Sequence, residues 1–203
     1  MCQPWIVTDT TTATDTTATD RQARIDAICR AAIPVFARQG FRGSSMADLA
    51  AAADMSRPAL YQYFDNRADL FRVAFGTLLQ AGSDAALDAL AAPGDTASRL
   101  DAYLQRLSGD GYEQLAATPH GDELMEAKLE FAADVAVESS AQAHAGLQTF
   151  VAGLSPSDTI TDAVFDLLTL SPFGLKRDRP SPSTYRSRLS ALAQAAVSLL
   201  DEG

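Results

Sequence analysis

The side chains of this sequence that are best suited to recognising a partner stand together in residues 57–64, RPALYQYF. Leu60 and Phe64 are four residues apart, so on a helix they face the same side. The Tyr-Gln-Tyr segment at 61–63 then spreads over the opposite side and offers hydroxyl and amide groups. Hydrogen-bonding groups on the outer face of a helix suit the recognition of a polar partner rather than a catalytic reaction.

Two short helices joined by a tight turn would position these side chains. Ser45 has the residue type of a helix N-cap, and Asp48 three residues later approximates a capping box. The polar residues before Arg57 end the first helix and supply Ser56 as the next N-cap, and Pro58 suits the first turn because no N–H is needed there. The layout is that of a helix-turn-helix, whose second helix presents its N-terminal turn to the major groove of DNA.

Residues 40–67 resemble the DNA-binding domain of the TetR family of bacterial transcriptional regulators, and the resemblance covers roughly residues 21–75. Its motifs agree with the family at fixed spacings: Gly40-Phe41, Ser44-Ser45, Asp48-Leu49-Ala50, Leu60-Tyr61-Gln62-Tyr63-Phe64 and Arg67. The remaining chain resembles the family only in length and helical texture. The resemblance implies an all-α fold, with an N-terminal three-helix helix-turn-helix domain and a C-terminal helical ligand-binding and dimerisation domain.

The resemblance also implies a role for each DNA-facing residue. Arg57 is the expected base reader, because its planar guanidinium can donate two hydrogen bonds to a guanine edge. Pro58 and Ala59 are small enough to meet a thymine methyl group. The remaining residues are expected to contact phosphates: Ser44 or Ser45, Tyr61, Gln62, Tyr63, Arg67 and, as a weaker candidate, Arg42. Gln62 could reach an adenine edge instead. The alternative is that Arg57 and the tyrosines are surface residues with wet polar groups.

Charge is distributed unevenly along the chain. The whole sequence has a net charge of −10, which by itself argues against a nucleic-acid partner. Residues 21–80, however, carry eight arginines and five aspartates, giving +3, whereas residues 1–20 give −3 and residues 81–203 give −10. The only net-positive block therefore coincides with the helix-turn-helix, although chance could produce an asymmetry of this size.

Composition places the 203-residue chain among helical globular proteins. Alanine is abundant, β-branched runs are scarce, and no stretch of 18 apolar residues is present. The first ten residues lack the pattern of a signal peptide, so we expect a cytoplasmic protein without a membrane partner. Cys2 and Cys29 are too few for a disulfide framework, and Cys29 reads as a buried apolar residue.

The order of predicted segments is a disordered tail at 1–20, a helix-turn-helix domain at 21–66 and a helical domain at 67–203. The tail is rich in Thr, Ala and Asp and has no apolar period. A first helix is predicted over 21–39, with a bend near Arg30 because Pro34 lies inside it, and Gly40 in a left-handed position after it.

Helices are also predicted at 67–91, from about 95 or 96 to a break at 109–111, then at 121–154, 158–170 and 184–200. In the last helix, apolar residues recur at steps of four and three, as in a coiled-coil seam. The residues are Tyr185, Leu189, Leu192, Ala196 and Leu199. From the spacing alone, this seam could pack within its own subunit or between two; the resemblance favours a homodimer held by a four-helix bundle.

Signals for catalysis or metal binding are weak. The sequence has no phosphate-binding glycine loop, no HExxH, no CxxC and no GxSxG motif. His120 and His144 are isolated, and the acidic pair Glu126 and Glu130 reads as a solvated face. We therefore expect no enzyme activity, no catalytic or metal-binding residues and no cofactor.

By resemblance, the C-terminal domain receives a small-molecule effector, and its binding releases the dimer from DNA. The aromatic residues Tyr103, Tyr112, Phe131 and Phe150 could line the pocket, or they could be ordinary core. The sequence thus predicts a dimeric TetR-type repressor that binds a palindromic operator and is released by an apolar effector. The alternatives are a DNA-binding regulator without an effector and a helical small-molecule binder that has lost DNA recognition.

Overall fold

The computed structural model describes residues 11–155 and 157–201, and all regular secondary structure within these ranges is helical. The predicted all-α class is confirmed. The helices are α1 (Thr11–Gly43), α2 (Met46–Ala52), α3 (Arg57–Leu60), α4 (Arg67–Ala91), α5 (Thr96–Leu104), α6 (Asp110–Ala116), α7 (Gly121–Phe131), α8 (Ala133–Ala152), α9 (Asp158–Leu175) and α10 (Pro182–Asp201).

The first helix begins earlier than predicted. Residues 11–20 continue α1 toward the N-terminus, where the sequence predicts a disordered tail. The rest of that predicted tail, including Cys2, lies outside the described residues. Helix α1 also runs through Pro34, and the residue with non-helical angles is Gly40 (φ 74°, ψ 171°) rather than one near Arg30. The positive φ of Gly40 was predicted. Its ψ, however, places Gly40 outside the left-handed helical region, in an extended region with positive φ that essentially only glycine adopts.

The N-terminal core is formed by α1 to α4 and extends into the C-terminal half of the chain. Leu49, Leu60 and Phe64 are buried, as predicted from their spacing. Aromatic rings meet edge to face beside them, with 5.2 Å between the centroids of Phe36 and Phe71. Leu124 of α7 belongs to the same core, so α7 holds the helix-turn-helix against the following domain.

Helix α4 connects the two cores and has the bounds predicted for it. The side chain of Asn66 caps it by accepting a hydrogen bond from the Asp69 N–H at 3.0 Å. Leu70 and Phe71 near its start lie in the N-terminal core, whereas Leu90 at its end lies in the second core. A single continuous helix therefore has residues in both cores.

The C-terminal helices differ from the prediction at three points. The predicted break at 109–111 is absent, because a π-helical turn at Gln105–Gly109 links α5 directly to α6. The predicted helix at 121–154 is two helices, α7 and α8, which meet at the buried Ala132 (φ −139°, ψ 19°). Helix α9 also extends beyond its predicted end and contains Pro172.

The apolar seam of α10 faces the core of its own subunit. Tyr185, Leu189, Leu192 and Ala196 are buried between α10 and its neighbours, and Leu199 is exposed. The Tyr185 ring lies 4.6 Å from that of Tyr112, and its hydroxyl donates to the carbonyl of Pro172 at 3.0 Å. For these four buried residues the assignment to a dimer interface is therefore corrected, whereas for Leu199 it stays a prediction. A coiled-coil-like spacing shows that a helix has an apolar stripe but does not identify the helix that covers it.

No helix within the described residues is both long and apolar enough to cross a membrane.

Candidate nucleic-acid interface and the adjoining cavity

Helix α2 begins with the predicted capping box. The Asp48 N–H donates to Oγ of Ser45 at 3.2 Å, and the Ser45 N–H donates to Oδ2 of Asp48 at 3.1 Å. The hydrogen bonds that the Ser45 hydroxyl and the Ser45 N–H donate to the Asp48 carboxylate lower the pKa of Asp48. The charged carboxylate thus fixes where α2 starts, and Leu49 and Ala50 turn into the core.

Helix α3 also begins where the sequence predicts. Oγ of Ser56 accepts a hydrogen bond from the Ala59 N–H at 3.3 Å, and Pro58 occupies the first turn. The regular helix is one turn long, Arg57–Leu60, and the chain then continues in turns, with the Phe64 N–H still donating to the Leu60 carbonyl at 3.1 Å. The two buried side chains anchor this segment, so its polar residues remain on the outside.

Arg57 and Tyr61 form a pair on the exposed side of α3. Nη2 of Arg57 donates to the Tyr61 hydroxyl at 3.3 Å, and the guanidinium carbon lies 5.6 Å from the centre of the Tyr61 ring. Both side chains are exposed. The tyrosine therefore limits the directions in which the guanidinium points while leaving most of its N–H donors available to a partner.

Arg21 is a basic residue of this surface that sequence reasoning missed. Its guanidinium lies 5.1 Å from the centre of the Tyr63 ring, and its Nη2 donates to the Gln62 carbonyl at 3.3 Å. Arg21 stands 41 positions before Gln62, so no local motif connects them. The excess of arginine in residues 21–80 was the only available signal.

Ser44 is placed differently from the expectation. Its side chain is buried, and its hydroxyl donates to the Gly40 carbonyl at 2.6 Å. A hydroxyl held inside the turn cannot contact a phosphate, and Ser44 is therefore removed from the expected DNA-facing set. Ser45 remains exposed, although its hydroxyl is engaged by Asp48.

Arg67 braces the turn between α1 and α2. Its Nη1 donates to the carbonyls of Ser44 at 2.6 Å and Arg42 at 3.0 Å, and its guanidinium lies 4.3 Å from the centre of the Phe41 ring. These contacts give Arg67 a structural role that the family pattern does not indicate. Arg42 is also engaged, because its Nη2 lies 3.5 Å from Oε2 of Glu126.

A cavity of about 630 Å³ lies where the N-terminal core meets the C-terminal helices. Its volume falls within the range usual for small-molecule sites, roughly 300–1,000 Å³. Much of its wall is apolar and comes from α1, α4 and α7, including Ile33, Phe36, Ala37, Phe71, Phe75 and Leu124. Because part of the wall belongs to α1, a bound molecule would touch the helix-turn-helix domain itself.

One of the four residues predicted for a ligand pocket lines this cavity. That residue is Tyr112, whose hydroxyl donates to the Pro180 carbonyl at 2.7 Å. Tyr103 fills the C-terminal core, where its hydroxyl has no hydrogen-bond partner among the described residues and burial raises its pKa. Phe131 packs on Phe41 with ring centres 4.9 Å apart.

Phe150, the fourth predicted pocket residue, lies beneath the guanidinium of Arg99 at 4.4 Å. The prediction rested on aromatic residue type alone, and large aromatic side chains fill cores as readily as pockets. The composition of the actual wall, with its many alanine and leucine side chains, gave no signal in the sequence.

The cavity wall also contains both lysines of the sequence, Lys128 on α7 and Lys176 just after α9. Burial lowers the pKa of Lys128, and burial together with the nearby Lys128 ammonium lowers the pKa of Lys176. Nζ of Lys128 lies 5.7 Å from the centre of the Phe75 ring, which lines the same wall. Neither lysine is in an ion pair with any carboxylate in the part of the chain that the structure describes.

Two of the residues considered for chemistry, Cys29 and His144, are buried and half-buried, respectively. Cys29 is buried in the N-terminal core, as predicted, and burial raises the pKa of its thiol to about 11. Burial lowers the pKa of His144. Within the described ranges, no group of three or more His, Cys, Asp or Glu side chains could hold a metal ion.

Comparison with known proteins agrees with this geometry. Residues 28–74 match the family model of the bacterial regulatory proteins of the tetR family. No curated protein matches the chain.

Among solved structures, Salmonella enterica GusR is 23% identical, covering 88% of this chain and 96% of that chain, with a TM-score of 0.59. A tetR-family transcriptional regulator from Streptomyces coelicolor is 20% identical, covering 88% of this chain and 80% of that chain, with a TM-score of 0.57. The TetR-family regulator PfmR from Thermus thermophilus is 16% identical, covering 83% and 96%, with a TM-score of 0.52. These likenesses show a shared helical fold. The match over residues 28–74 identifies the helix-turn-helix segment as a tetR-family domain, and the solved structures show that the rest of the chain shares the same helical fold.

Proposed function

We propose that this regulator binds a palindromic DNA operator as a homodimer, represses transcription there, and is released by a small molecule bound in the cavity between its domains. The observation that carries the proposal is the exposed set of donors on α3, where Arg57 and Tyr61 stand on a helix turn fixed from beneath by Leu60 and Phe64. A rigid turn with outward donors fits the major groove, where base edges offer acceptors.

The proposed DNA surface consists of the exposed or half-buried polar residues around α3. The base-facing part is Arg57 with Pro58 and Ala59, and Tyr61, Gln62 and Tyr63 face the phosphates. Arg21 joins this set because it lies against Tyr63 and adds a positive charge. Arg67 contributes indirectly, since it holds the turn between α1 and α2.

Homodimerisation is proposed through the outer faces of α9 and α10 rather than through the buried seam. Leu170 and Phe173 on α9 are 69% and 76% exposed, which is unusual for large apolar side chains on a helix packed into a core. Leu199 on α10 is also exposed, and it is the one residue of the predicted interface that is not buried within its own subunit. Two such faces brought together would bury these side chains around a two-fold axis.

Release by a small molecule is proposed from the position of the cavity. Its wall includes α1 and α4, so a ligand that fits one arrangement of these helices better than another would shift the population of DNA-binding dimers. The protein would act as a binding switch rather than as an enzyme.

Selection from a random duplex library by the purified protein at physiological salt tests the proposal. Recovery of one inverted repeat, with half-sites about one helical turn apart or a multiple of that, is the expected result. Binding without any motif, and with an affinity that vanishes as the salt concentration rises, would overturn sequence-specific recognition.

A further inference from the structure

The two lysines of the cavity give a direct indication of the ligand. In an apolar wall, two like charges repel one another and have lost part of their hydration, and both effects disfavour the charged forms. Charges removed from water are usually paired, yet the half-buried Lys128 and Lys176 have no carboxylate partner in the described part of the chain. An anion placed beside them would relieve both costs.

The carboxylate that lines the same wall is already engaged. Asp110 lines the cavity, but its Oδ1 accepts from Nη2 of Arg186 at 2.7 Å and its Oδ2 accepts from Nη1 of Arg106 at 3.1 Å. Both oxygens are therefore held by arginines, which keep the pKa of Asp110 low despite the opposing effect of burial. The lysines are left as the unpaired positive charges of this wall.

Other parts of the wall suit a hydrocarbon chain. Ile33, Phe36, Phe71, Phe75 and Leu78 contribute only aliphatic and aromatic surface. A site with a mostly apolar wall and a few polar groups at one place binds a molecule whose own polarity is divided in the same way. The cavity is thus matched to an amphipathic molecule rather than to a sugar or a nucleotide.

We propose that the cavity binds a long-chain carboxylate, with the carboxylate oxygens accepting hydrogen bonds from Lys128 and Lys176 and the hydrocarbon chain lying against α1 and α4. Only one part of this proposal rests on the proposed function, namely that the bound carboxylate acts as the effector that releases DNA. The binding site itself is independent of whether the protein reads DNA.

Two probes with the same hydrocarbon chain but different head groups test whether binding requires a negative charge. Dodecanoate and dodecanol are titrated, below the concentrations at which they form micelles, into the delipidated full-length protein, with binding followed by calorimetry. We expect dodecanoate to bind at least roughly ten-fold more tightly than dodecanol, because hydrogen bonds between charged groups would be made only by the carboxylate. Equal affinities, or binding of neither probe, would overturn the proposal.

Variants identify the residues responsible. Lys128→Met and Lys176→Met should each weaken dodecanoate binding by roughly ten-fold and leave dodecanol binding unchanged, and Lys128→Arg should retain binding. Arg177→Met is the matched control, because Arg177 is the exposed cation next to Lys176 and does not line the cavity. A loss of dodecanoate binding in Arg177→Met equal to that in the lysine variants would show a general charge effect and contradict the site.

Thermal unfolding without ligand separates a binding role from a structural one. Because the lysines repel each other in the empty cavity, the Lys128→Met/Lys176→Met double variant should melt at the same temperature as the native protein or higher. A lower melting temperature would show that the lysines stabilise the folded protein, and it would contradict a role in ligand binding only.

The DNA experiment distinguishes this inference from the proposed function. If dodecanoate binds but does not change the affinity for the operator, the ligand proposal stands and the effector role is refuted. If the protein binds its operator specifically but does not bind dodecanoate, the proposal of operator recognition stands and the proposal of carboxylate binding is refuted.

Discussion

The backbone N–H of Arg42 donates a hydrogen bond to Oε1 of Glu123 at 2.5 Å, joining the end of α1 to the beginning of α7. The second carboxylate oxygen of Glu123 lies against Gly40 and 3.5 Å from Nδ1 of His120. Glu126, one turn along α7, lies 3.5 Å from the Arg42 guanidinium. One helix of the C-terminal half therefore holds the backbone of the turn that leads into the helix-turn-helix.

Removal of the Glu123 carboxylate should loosen this junction. We expect Glu123→Ala to accelerate amide hydrogen exchange at Arg42 and to lower the free energy of unfolding by roughly 1 kcal/mol, because water can replace only part of the lost hydrogen bond. Hydrogen-exchange mass spectrometry and thermal melting measure the two effects. Glu130→Ala is the control, since Glu130 is an exposed carboxylate of the same helix. Unchanged exchange at Arg42 would show that the contact does not restrain the turn.

Gly40 is required by its backbone angles and by its neighbours. A Cβ atom at this position would collide with the Glu123 carboxylate and lie 3.0 Å from Nδ1 of His120, at a φ of +74°. We expect Gly40→Ala to destabilise the protein by about 1–3 kcal/mol, which chemical denaturation measures.

Gly43→Ala is the matched control for that substitution. A Cβ atom at Gly43 would meet only Cβ of Gln39 at 3.8 Å, an ordinary contact. Its unfolding free energy should stay within about 1 kcal/mol of the native value. Equal destabilisation by the two substitutions would contradict the role assigned to Gly40.

Arg67 should affect folding more than DNA sequence preference. Arg67→Ala removes the donor to the Ser44 and Arg42 carbonyls and the cation above the Phe41 ring, so we expect a loss of about 1–3 kcal/mol in the free energy of unfolding. Denaturant unfolding of the variant measures this loss. A variant of native stability that binds all DNA sequences more weakly would instead support the phosphate contact expected from the family.

Arg57 should determine preference at a base pair. We expect Arg57→Ala to cost about 1–3 kcal/mol in binding the selected operator and to relax the preference at one position of each half-site. Repeated library selection with the variant, alongside affinity measurements on operator and scrambled DNA, tests this. Equal losses on both DNAs would refute a base-reading role. The control is Arg30→Ala, which removes an exposed arginine of α1 outside the proposed DNA surface.

The exposed face of α9 should control the oligomeric state. Phe173→Glu places a charge in the middle of the proposed interface, so we expect the variant to sediment as a monomer where the native protein sediments as a dimer. Leu129→Glu on α7 is the control, because Leu129 is also highly exposed, at 65%, but lies on another helix. A dimer that persists in Phe173→Glu would place the interface elsewhere.

Local chemistry made much of the helix-turn-helix predictable from the sequence. The caps at Ser45, Ser56 and Asn66 depend on side chains that bond to a backbone N–H two or three residues later, so the information lies within a few positions. The burial of Leu60 and Phe64 was likewise predictable from their spacing of four, because the Phe64 N–H still donates to the Leu60 carbonyl although the regular helix ends at Leu60.

Contacts between distant segments were not predictable in this way. The partners of Ser44 and Arg67 are backbone carbonyls, which every residue has, so residue type alone could not distinguish these contacts from contacts with phosphate. The seam of α10 was recognised as apolar, but whether it faces its own subunit depends on helices that approach from elsewhere in the chain. The cavity is also a property of packing, and its lysines have no helical spacing in common.

The lysine content of the chain limits how the protein can be modified. All its other basic residues are arginines, and Lys128 and Lys176 both line the cavity between the domains. Any acetylation or other acylation of a lysine side chain would therefore remove a positive charge at this junction and nowhere else in the sequence. For this protein, the chemistry of lysine modification and the chemistry of the ligand site converge on the same two nitrogen atoms.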